Sequence, residues 1–392
     1  MDLPTFRQLT SPEGATALAA AAALAPTDAT HLAVLARLRK QFPPELAAAA
    51  VETALLRRKA AAKFAHPEGL FFTREGLEVA SGEVVANHRA ERFRRFEAVG
   101  DFGCGVGADT LALASVSFVH AVDRDELRTA IATANLHARG LSHRATVRTA
   151  DLLLDPLPDV PAAFADPGRR ADGRRFLSLA EYLPPPAELL ARLPSAFPIA
   201  FKLAPGVDVA ELTAFDGEAE FISSGGELKE CVLWLHGLRT ARRRATMLTD
   251  TGVHTLSTDT ELSAAEVGPI RGVLLDPNSA VVRAGLVPKL AERLTAAGTD
   301  YTVQMLTADA VPVTPFATAY RVEGVFPADV KAVAAELRKR DVGRVTPLVR
   351  GTLLTADEFV KGLKLKGTAH RHLILTRELG RQVAVLAERA VH

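Results

Sequence analysis

Two hydrophobic periodicities succeed each other along the chain, and each predicts a different kind of structure. Over about the first seventy residues, apolar side chains recur every three or four positions, which predicts amphipathic helices. Ser11 is a candidate N-cap, and Pro12 suits the first helical position that follows it. From Ala98 to about Leu238, apolar strand-like runs alternate with helical runs. That alternation predicts a doubly wound parallel sheet in an α/β domain.

A further region of mixed pattern follows the predicted sheet. Residues 241–318 predict a linking α/β segment, with a turn at Asp276, Pro277 and Asn278. From Ala319 the pattern predicts strand, helix, strand, helix and two final strands, the last two joined in a hairpin around Glu378–Gly380. We therefore expect a helical domain at 1–72, an α/β domain at 73–240, the linking segment and a small α+β domain at 319–392.

The first predicted strand of the α/β domain ends in a run of alternate glycines. Residues 96–109 read FEAVGDFGCGVGAD, and a helix-like run follows them. Glycine tolerates positive φ and has no Cβ, so this bend allows the backbone to approach a ligand closely. Gly103, Gly105 and Ala108 also satisfy the G-x-G-x-x-[GA] pattern of dinucleotide sites, which is a weak signal by itself.

Carboxylates at the ends of four successive predicted strands separate the two cofactor classes. Asp101 lies two positions before Gly103, where it would repel a pyrophosphate but suit the sulfonium and ammonium groups of S-adenosylmethionine. The carboxylate of Asp123 could accept hydrogen bonds from ribose hydroxyls, and that of Asp151 could accept one from the amino group of adenine. Asp166 follows the fourth predicted strand and would face the same crevice, where open α/β sheets bind ligands. The set favours S-adenosylmethionine over NAD; acidic strand ends without any ligand are the alternative.

Composition restricts the partners of the protein. The formal net charge is only +1, so contacts with nucleic acid must come from local clusters of basic residues. There are two cysteines, no spacing typical of metal ligands and no apolar run of about 20 residues. We expect a soluble cytoplasmic protein with no membrane or metal partner; the sequence does not indicate its oligomeric state.

The order of these motifs resembles that of class I S-adenosylmethionine-dependent methyltransferases. ASGEVVANHRAERF (80–93) and LRTAIATANLHARGL (127–141) are similar to methyltransferases of the trimethylguanosine-synthase type, which act on guanine N2 in RNA. The C-terminal stretch from Val342 resembles a THUMP-like domain. The resemblance implies S-adenosylmethionine as cofactor, bound by Asp101, Gly103, Cys104, Gly105, Gly107, Asp123, Arg124, Asp151 and Leu152. It implies catalytic roles for Asp166 and Pro167.

The motif after the fourth strand departs from the pattern of those families. They have an acidic residue, Asn or Ser, then two prolines and an aromatic that stacks on the base, whereas this chain has Asp166-Pro167-Gly168-Arg169-Arg170. A guanidinium can stack on a base or hold a phosphate, so Gly168, Arg169 and Arg170 are candidate substrate contacts. Alternatively, the arginines pair with Asp172 or Glu181. Asn135 either contacts substrate, supports the site or lies on a helix surface, and Lys202 is a weaker candidate after the fifth strand.

Basic clusters outside the sheet have both structural and functional interpretations. Lys and Arg outnumber acidic residues between 331 and 371, and the resemblance to THUMP-like domains implies that this region captures structured RNA, tRNA or rRNA. The leading hypothesis is a methyltransferase acting on an RNA base, at guanine N2 or a ring nitrogen. The alternatives are a methyltransferase for a small molecule or protein, and a non-catalytic protein that binds RNA or S-adenosylmethionine.

Overall fold

The computed structural model describes residues 1–171, 174–176, 178–352 and 354–390. Its internal contacts divide the chain into two compact units, residues 1–217 with 231–239, and residues 218–230 with 240–392. The helices are α1 (Leu3–Leu9), α2 (Pro12–Ala23), α3 (His31–Leu38), α4 (Pro44–Ala60), α5 (Arg74–Val79), α6 (Glu83–Ala90), α7 (Ala108–Ala114), α8 (Glu126–Ala138), α9 (Pro186–Ala191), α10 (Val209–Leu212), α11 (Ser279–Arg283), α12 (Val287–Leu294), α13 (Val330–Lys339) and α14 (Ala356–Leu363).

The strands are β1 (Ala98–Phe102), β2 (Phe118–Asp123), β3 (Ala145–Thr149), β4 (Ala163–Ala165), β5 (Arg170–Ala171), β6 (Arg174–Arg175), β7 (Ile199–Leu203), β8 (Gly217–Ser224), β9 (Glu227–Leu235), β10 (Arg243–Thr249), β11 (Gly252–Thr258), β12 (Val273–Pro277), β13 (Ala297–Gly298), β14 (Leu306–Ala308), β15 (Ala317–Pro327), β16 (Val342–Val349), β17 (Ala369–Glu378) and β18 (Arg381–Arg389). No helix in these described ranges is long and apolar enough to cross a bilayer.

The first unit is built on the parallel sheet that the sequence predicts. Its strands run in the order β9-β7-β4-β1-β2-β3, and only the β7–β9 pairing among these is antiparallel. The strand order reverses between β1 and β4, and a reversal of this kind opens a crevice at the carboxyl ends of the strands. The glycine bend and Asp166 both follow strands at this point.

The N-terminal helices share their core with the glycine bend. The Oγ of Ser11 accepts a hydrogen bond from the amide of Gly14, which confirms the predicted start of α2. One apolar cluster lies among α2, α3 and α4. A second cluster packs Phe6 and Phe64 against Val106 of the bend and Ile131 of α8, so burial of this part of α8 depends on the helices before it.

The basic end of α4 makes contacts within the protein. Lys63 Nζ donates to three carbonyls at the end of α5, each at 2.8 Å, and Arg57 Nε donates to another carbonyl 2.7 Å away. Lys59 pairs with Asp28. These bonds indicate a structural role for the basic residues at and after the end of α4.

The second unit contains β8, β10 and β11 and a second sheet. Strand β10 pairs in parallel with β8 and antiparallel with β11. The basic run at its start makes internal ion pairs, since Arg242 and Arg243 contact Glu261 while Arg244 contacts the buried Glu218. These ion pairs indicate a structural role for the run.

The second sheet runs in the order β13-β14-β12-β15-β18-β17-β16. Helices α13 and α14 pack on one of its faces through an apolar cluster. The predicted hairpin joining β17 and β18 is confirmed, with Leu379 and Gly380 at positive φ. The predicted turn near 276 is placed too early, because β12 continues to Pro277 and Asn278 caps α11 with its side chain.

Candidate active site

The glycine bend connects β1 to α7 through three residues at positive φ. The φ angles are 84° at Gly103, 54° at Gly105 and 86° at Gly107. A Cβ on Gly103 would lie 2.7 Å from the carbonyl oxygen of Asp166, so only glycine lets the bend pass so close to the chain after β4. A Cβ on Gly105 would meet nothing within 4 Å. The bend therefore presents open backbone at Gly105.

Asp101 is a fully buried carboxyl group at the base of the bend. Its Oδ2 accepts a hydrogen bond of 2.5 Å from Thr110 Oγ1, whereas no described residue bonds to its Oδ1. Burial, followed by the charge of Asp109 and of other nearby carboxylates, raises the pKa of Asp101 to about 8. An unpartnered buried carboxyl oxygen of this kind suits a cationic ligand that supplies the missing donor.

Asp109, in the first turn of α7, is also buried but is compensated by cations. Arg89 donates to its Oδ1, and Ser81 donates to its Oδ2 at 3.0 Å. Burial alone raises the pKa of Asp109, but Arg89, Lys202 and these hydrogen bonds outweigh it and hold the pKa below its usual value. Asp109 is therefore ionised within the site, and its charge adds to the field at Asp101.

Asp123, the last residue of β2, contacts the bend directly. Its Oδ2 accepts from the amide of Gly105 at 2.9 Å, and its Oδ1 accepts from the amide of Asp125. Arg124 next to it is exposed. The carboxylate is thus fixed beside the open part of the bend, where each oxygen retains a lone pair for a hydroxyl donor.

Asp151 lies two residues beyond β3 in a short turn. Its Oδ1 accepts from the amide of Leu153, and Leu152 between them is buried with its carbonyl bonded to Arg192. The turn fixes the direction of the Asp151 side chain. The adenine contact that the sequence suggests for it stays a prediction.

Asp166, directly after β4, forms an ion pair with Lys202. Lys202 Nζ lies 2.7 Å from Asp166 Oδ2, and the lysine side chain is almost fully buried. Lys202 is the fourth residue of β7, inside the strand and not after it as the sequence suggested. The amide of Asp166 donates to Phe102 at the end of β1, which places this carboxylate next to the glycine bend.

The residues after Pro167 are held by a bridge to Leu183. Gly168 and Leu183 exchange two main-chain hydrogen bonds, and the side chain of Arg169 is half-buried. Glu181 belongs to a capping box with Ser178. The side chain of Arg170 and all of Asp172 lie outside the part of the chain that the structure describes.

Asn135 supports the site from inside α8. Its side chain is 1% exposed, its Oδ1 accepts from the amide of Phe71, and its Nδ2 donates to the carbonyls of Phe71 and Val106. All its polar atoms are therefore engaged by main chain. This favours the supporting role over substrate contact and over a position on the helix surface.

Several polar groups of the site escaped the sequence analysis. Thr110, Asp109, Arg89 and Ser81 were not predicted, although an acidic residue inside the apolar run of α7 is a signal that a buried partner exists. No group of three or more metal-ligating side chains occurs among the described residues.

These features together fit S-adenosylmethionine. The unpartnered Oδ1 of Asp101 suits its ammonium group, and the open backbone at Gly105 beside Asp123 leaves room for its ribose. A pyrophosphate would have to lie beside the acidic side chains of Asp109 and Asp123, which disfavours a dinucleotide.

Relatives of the chain decide between these cofactor classes. Two proteins of Mycobacterium tuberculosis, from strains CDC 1551 and H37Rv, are each 35% identical over 83% of this chain and 92% of their own length. Both are described as uncharacterized S-adenosylmethionine-dependent methyltransferases. The chain belongs to the S-adenosylmethionine-dependent methyltransferases. S-adenosylmethionine is therefore its cofactor, and the enzyme class that the sequence predicted is confirmed.

The fold of this methyltransferase agrees with that assignment. A crystal structure of a candidate methyltransferase from Porphyromonas gingivalis W83 matches it with a TM-score of 0.72 and 20% identity, over 93% of this chain and 100% of that one. Residues 317–389 match a family described as THUMP domain-like, and residues 2–60 match a domain of unknown function, DUF8688. The predicted fold class is confirmed: a Rossmann-like sheet, N-terminal helices and a C-terminal THUMP-like domain.

Proposed function

We propose that this methyltransferase modifies a base nitrogen in RNA, at guanine N2 or a ring nitrogen of tRNA or rRNA, in the cytoplasm. The observation that carries the proposal is the position of Asp166 and Pro167 after β4, beside the glycine bend. A carboxylate and a main-chain carbonyl at this point are acceptors suited to an N–H group. The THUMP-like domain supports RNA as the carrier of that group.

The chemistry required of the protein is mainly orientation. When bound, S-adenosylmethionine supplies an electrophilic methyl group, and the acceptor nitrogen must be held about 3 Å from it and in line. The lone pair of an exocyclic base amine is delocalised into the ring. Hydrogen bonds from that amine to Asp166 and to the carbonyl of Pro167 would turn the lone pair toward the methyl group.

Asp166 is arranged to make such a bond. Lys202 occupies its Oδ2, and no described residue donates to its Oδ1. The free oxygen can accept a hydrogen bond from the acceptor amine, and the carboxylate can then take the proton that the methylated nitrogen loses. We assign the cofactor contacts to Asp101, Asp123, Asp151 and the glycine bend within the same proposal.

A small-molecule or protein substrate is the second candidate. Arg169 stands where similar RNA methyltransferases have an aromatic, and the net charge of +1 gives no overall attraction to nucleic acid. A half-buried guanidinium can still stack on a base through its planar face, so RNA remains the better supported acceptor.

The decisive experiment supplies the purified protein with labelled S-adenosylmethionine and total RNA from a strain that lacks the protein. We expect label in RNA, and nucleoside mass spectrometry then names the modified base. RNA from the parent strain is the matched control, because its sites are already filled. Label that appears only in the protein or metabolite fraction would reject RNA and favour the second candidate.

A further inference from the structure

One face of the C-terminal sheet carries a cluster of rings and arginines that the methyltransferase site does not use. The strands β16, β17, β18 and β15 are neighbours in this order. Residues that share a register position, or that lie two positions apart along one strand, are on the same face of the sheet. We call this cluster the ring face; it consists of Arg344 and Thr346 of β16, His370 and His372 of β17, Arg389 of β18 and Tyr320 of β15.

Contacts among these side chains confirm that they share a face. The ring centroids of His370 and His372 are 5.8 Å apart, and those of Tyr320 and His372 are 5.2 Å apart. Thr346 Oγ1 lies 2.8 Å from His370 Nε2. Three rings from two strands thus form a continuous row that leads from the buried Tyr320 to the exposed His370, with Arg389 opposite Tyr320 in the strand register.

The ring face is open where the rest of the same face is covered. Further along these strands Ile374, Val385 and Ala387 are buried in a cluster with Val303 and Met305. His370 is exposed and His372 is half-buried, beyond the end of that cover. Tyr320 is buried in the same apolar cluster, so the rings run from the edge of that cluster to the exposed His370.

The charge of the ring face is positive. Arg344 and Arg389 are exposed on it, and Asp276 nearby is held by both ends of the Arg350 guanidinium, at 2.9 Å each. Glu388 lies on the opposite face because it alternates with Arg389. Burial, His370 and Arg389 together lower the pKa of His372, so its ring is neutral at neutral pH.

We propose that the ring face binds an unpaired segment of RNA, with bases stacked on the rings and phosphates paired with Arg344 and Arg389. This rests on the proposed function, since it assigns to the RNA substrate a second point of contact, in the C-terminal sheet. Flat rings between cations are the chemistry that single-stranded nucleic acid requires, because every base has a π-face and every nucleotide a phosphate. A double helix, whose bases are already stacked, would gain only the arginine contacts.

The test measures binding of a short labelled oligoadenylate and of total tRNA to the full chain by fluorescence anisotropy. Replacing both histidines, His370→Ala with His372→Ala, should weaken oligoadenylate binding about tenfold or more. Arg344→Gln with Arg389→Gln should lower the slope of log affinity against log salt by about 1.4, since about 0.7 is lost for each single-strand phosphate contact. These arginines are exposed, so the second pair of variants gives a result even if the first fails to fold.

Arg321→Gln is the matched control, because Arg321 is exposed on β15 but alternates with Tyr320 and so lies on the opposite face. We expect it to bind both probes as the parent chain does. Parent binding that none of the ring-face variants changes, or an equal loss in Arg321→Gln, would overturn the ring face while leaving RNA as substrate. A parent chain that binds neither probe would overturn both proposals. A third outcome is that polyglutamate displaces the oligoadenylate while the histidine variants still bind it normally. That result would assign the ring face to acidic protein segments and overturn the proposal.

Discussion

Lys202 Nζ and Asp166 Oδ2 are 2.7 Å apart, and this ion pair joins β7 to the residue that follows β4. The lysine is buried, and its Nζ also lies 3.3 Å from the carbonyl oxygen of Val79. A buried lysine needs a partner, because an unpaired ammonium is costly in a medium of low polarity. The pair therefore fixes the orientation of the carboxylate that we assign to the acceptor.

Removing either member should reduce methyl transfer more than cofactor binding. We expect Asp166→Ala to lower kcat by about 10²- to 10⁴-fold. Lys202→Met should lower kcat by roughly a hundredfold, because the carboxylate loses the donor that holds its orientation. Lys202→Arg, which keeps a donor to the carboxylate, should retain more of kcat than Lys202→Met does. Equal losses of kcat and of cofactor affinity in Lys202→Met would indicate a purely structural role.

The protonated state of Asp101 should couple cofactor binding to pH. Its pKa is about 8, so at about pH 6.5 the free protein holds a proton on this group that must leave when the carboxylate pairs with the ammonium of the cofactor. We expect binding to release nearly one proton, measured by calorimetry in buffers of different ionisation enthalpy, and affinity to rise between about pH 5 and pH 7. Asp101→Asn should bind more weakly and release none. Proton uptake by the parent protein would contradict the assignment.

The same shift has a consequence for the protein without cofactor. The folded state binds a proton that the unfolded chain releases, so the free energy of unfolding falls as pH rises from about 4 to about 8 and is constant above that range. The decrease of unfolding free energy with pH should be smaller in Asp101→Asn. Urea unfolding of both proteins at several pH values measures it.

Substitutions at two glycines with similar backbone geometry should distinguish an effect on stability from an effect on cofactor binding. Gly105 and Gly140 both have positive φ, 54° and 68°, and at neither would a Cβ meet any atom within 4 Å. Each Gly→Ala change should therefore cost about 1 kcal/mol of unfolding free energy. Only Gly105→Ala should weaken S-adenosylmethionine binding, measured by calorimetry, because its methyl group enters the space left by the bend. Equal affinities in the two variants would place the cofactor elsewhere.

Asn135→Ala should destabilise the protein through its main-chain partners. The change leaves the amide and carbonyl of Phe71 and the carbonyl of Val106 without their bonds, at a cost of about 3 kcal/mol. Thr133→Ala on the same helix is the control and should cost about 0.5 kcal/mol or less. Urea unfolding measures both. A variant that is as stable as the parent but defective in substrate binding would restore the substrate role for Asn135.

Strands β1, β2 and β4 were predictable because each is a short apolar run with an acidic residue at or beside its end: Asp101, Asp123 and Asp166. The bend was predictable because only glycine follows such a path. Helices α5 and α6 were not predicted, since they are six and eight residues long and depend on tertiary contacts: a Cβ on Gly76 of α5 would lie 2.6 Å from Val106.

The partners of buried polar groups could not be predicted from local sequence. A lysine within the apolar run IAFKL signals that some partner exists, but Asp166 lies 36 positions earlier and only the fold brings the two together. Asn135 is similar, because its partners are main-chain groups at 71 and 106 that carry no signal in the sequence. The periodicity of apolar residues predicts which side of a helix or strand is buried. It does not predict which distant residue a buried polar side chain contacts, because the fold determines that.

Lys63, which follows α4, links the N-terminal helices to the rest of the first unit through its hydrogen bonds. Its ammonium supplies the donors for the carbonyls of Leu77, Glu78 and Ala80, while Phe6 and Phe64 cover the apolar side of α8. A fragment that began after Phe64 would expose the apolar side of α8 beside the glycine bend and leave these three carbonyls without their donor. We therefore expect the smallest active fragment to include the α1–α4 region, because this region packs against the glycine bend and α8 of the methyltransferase.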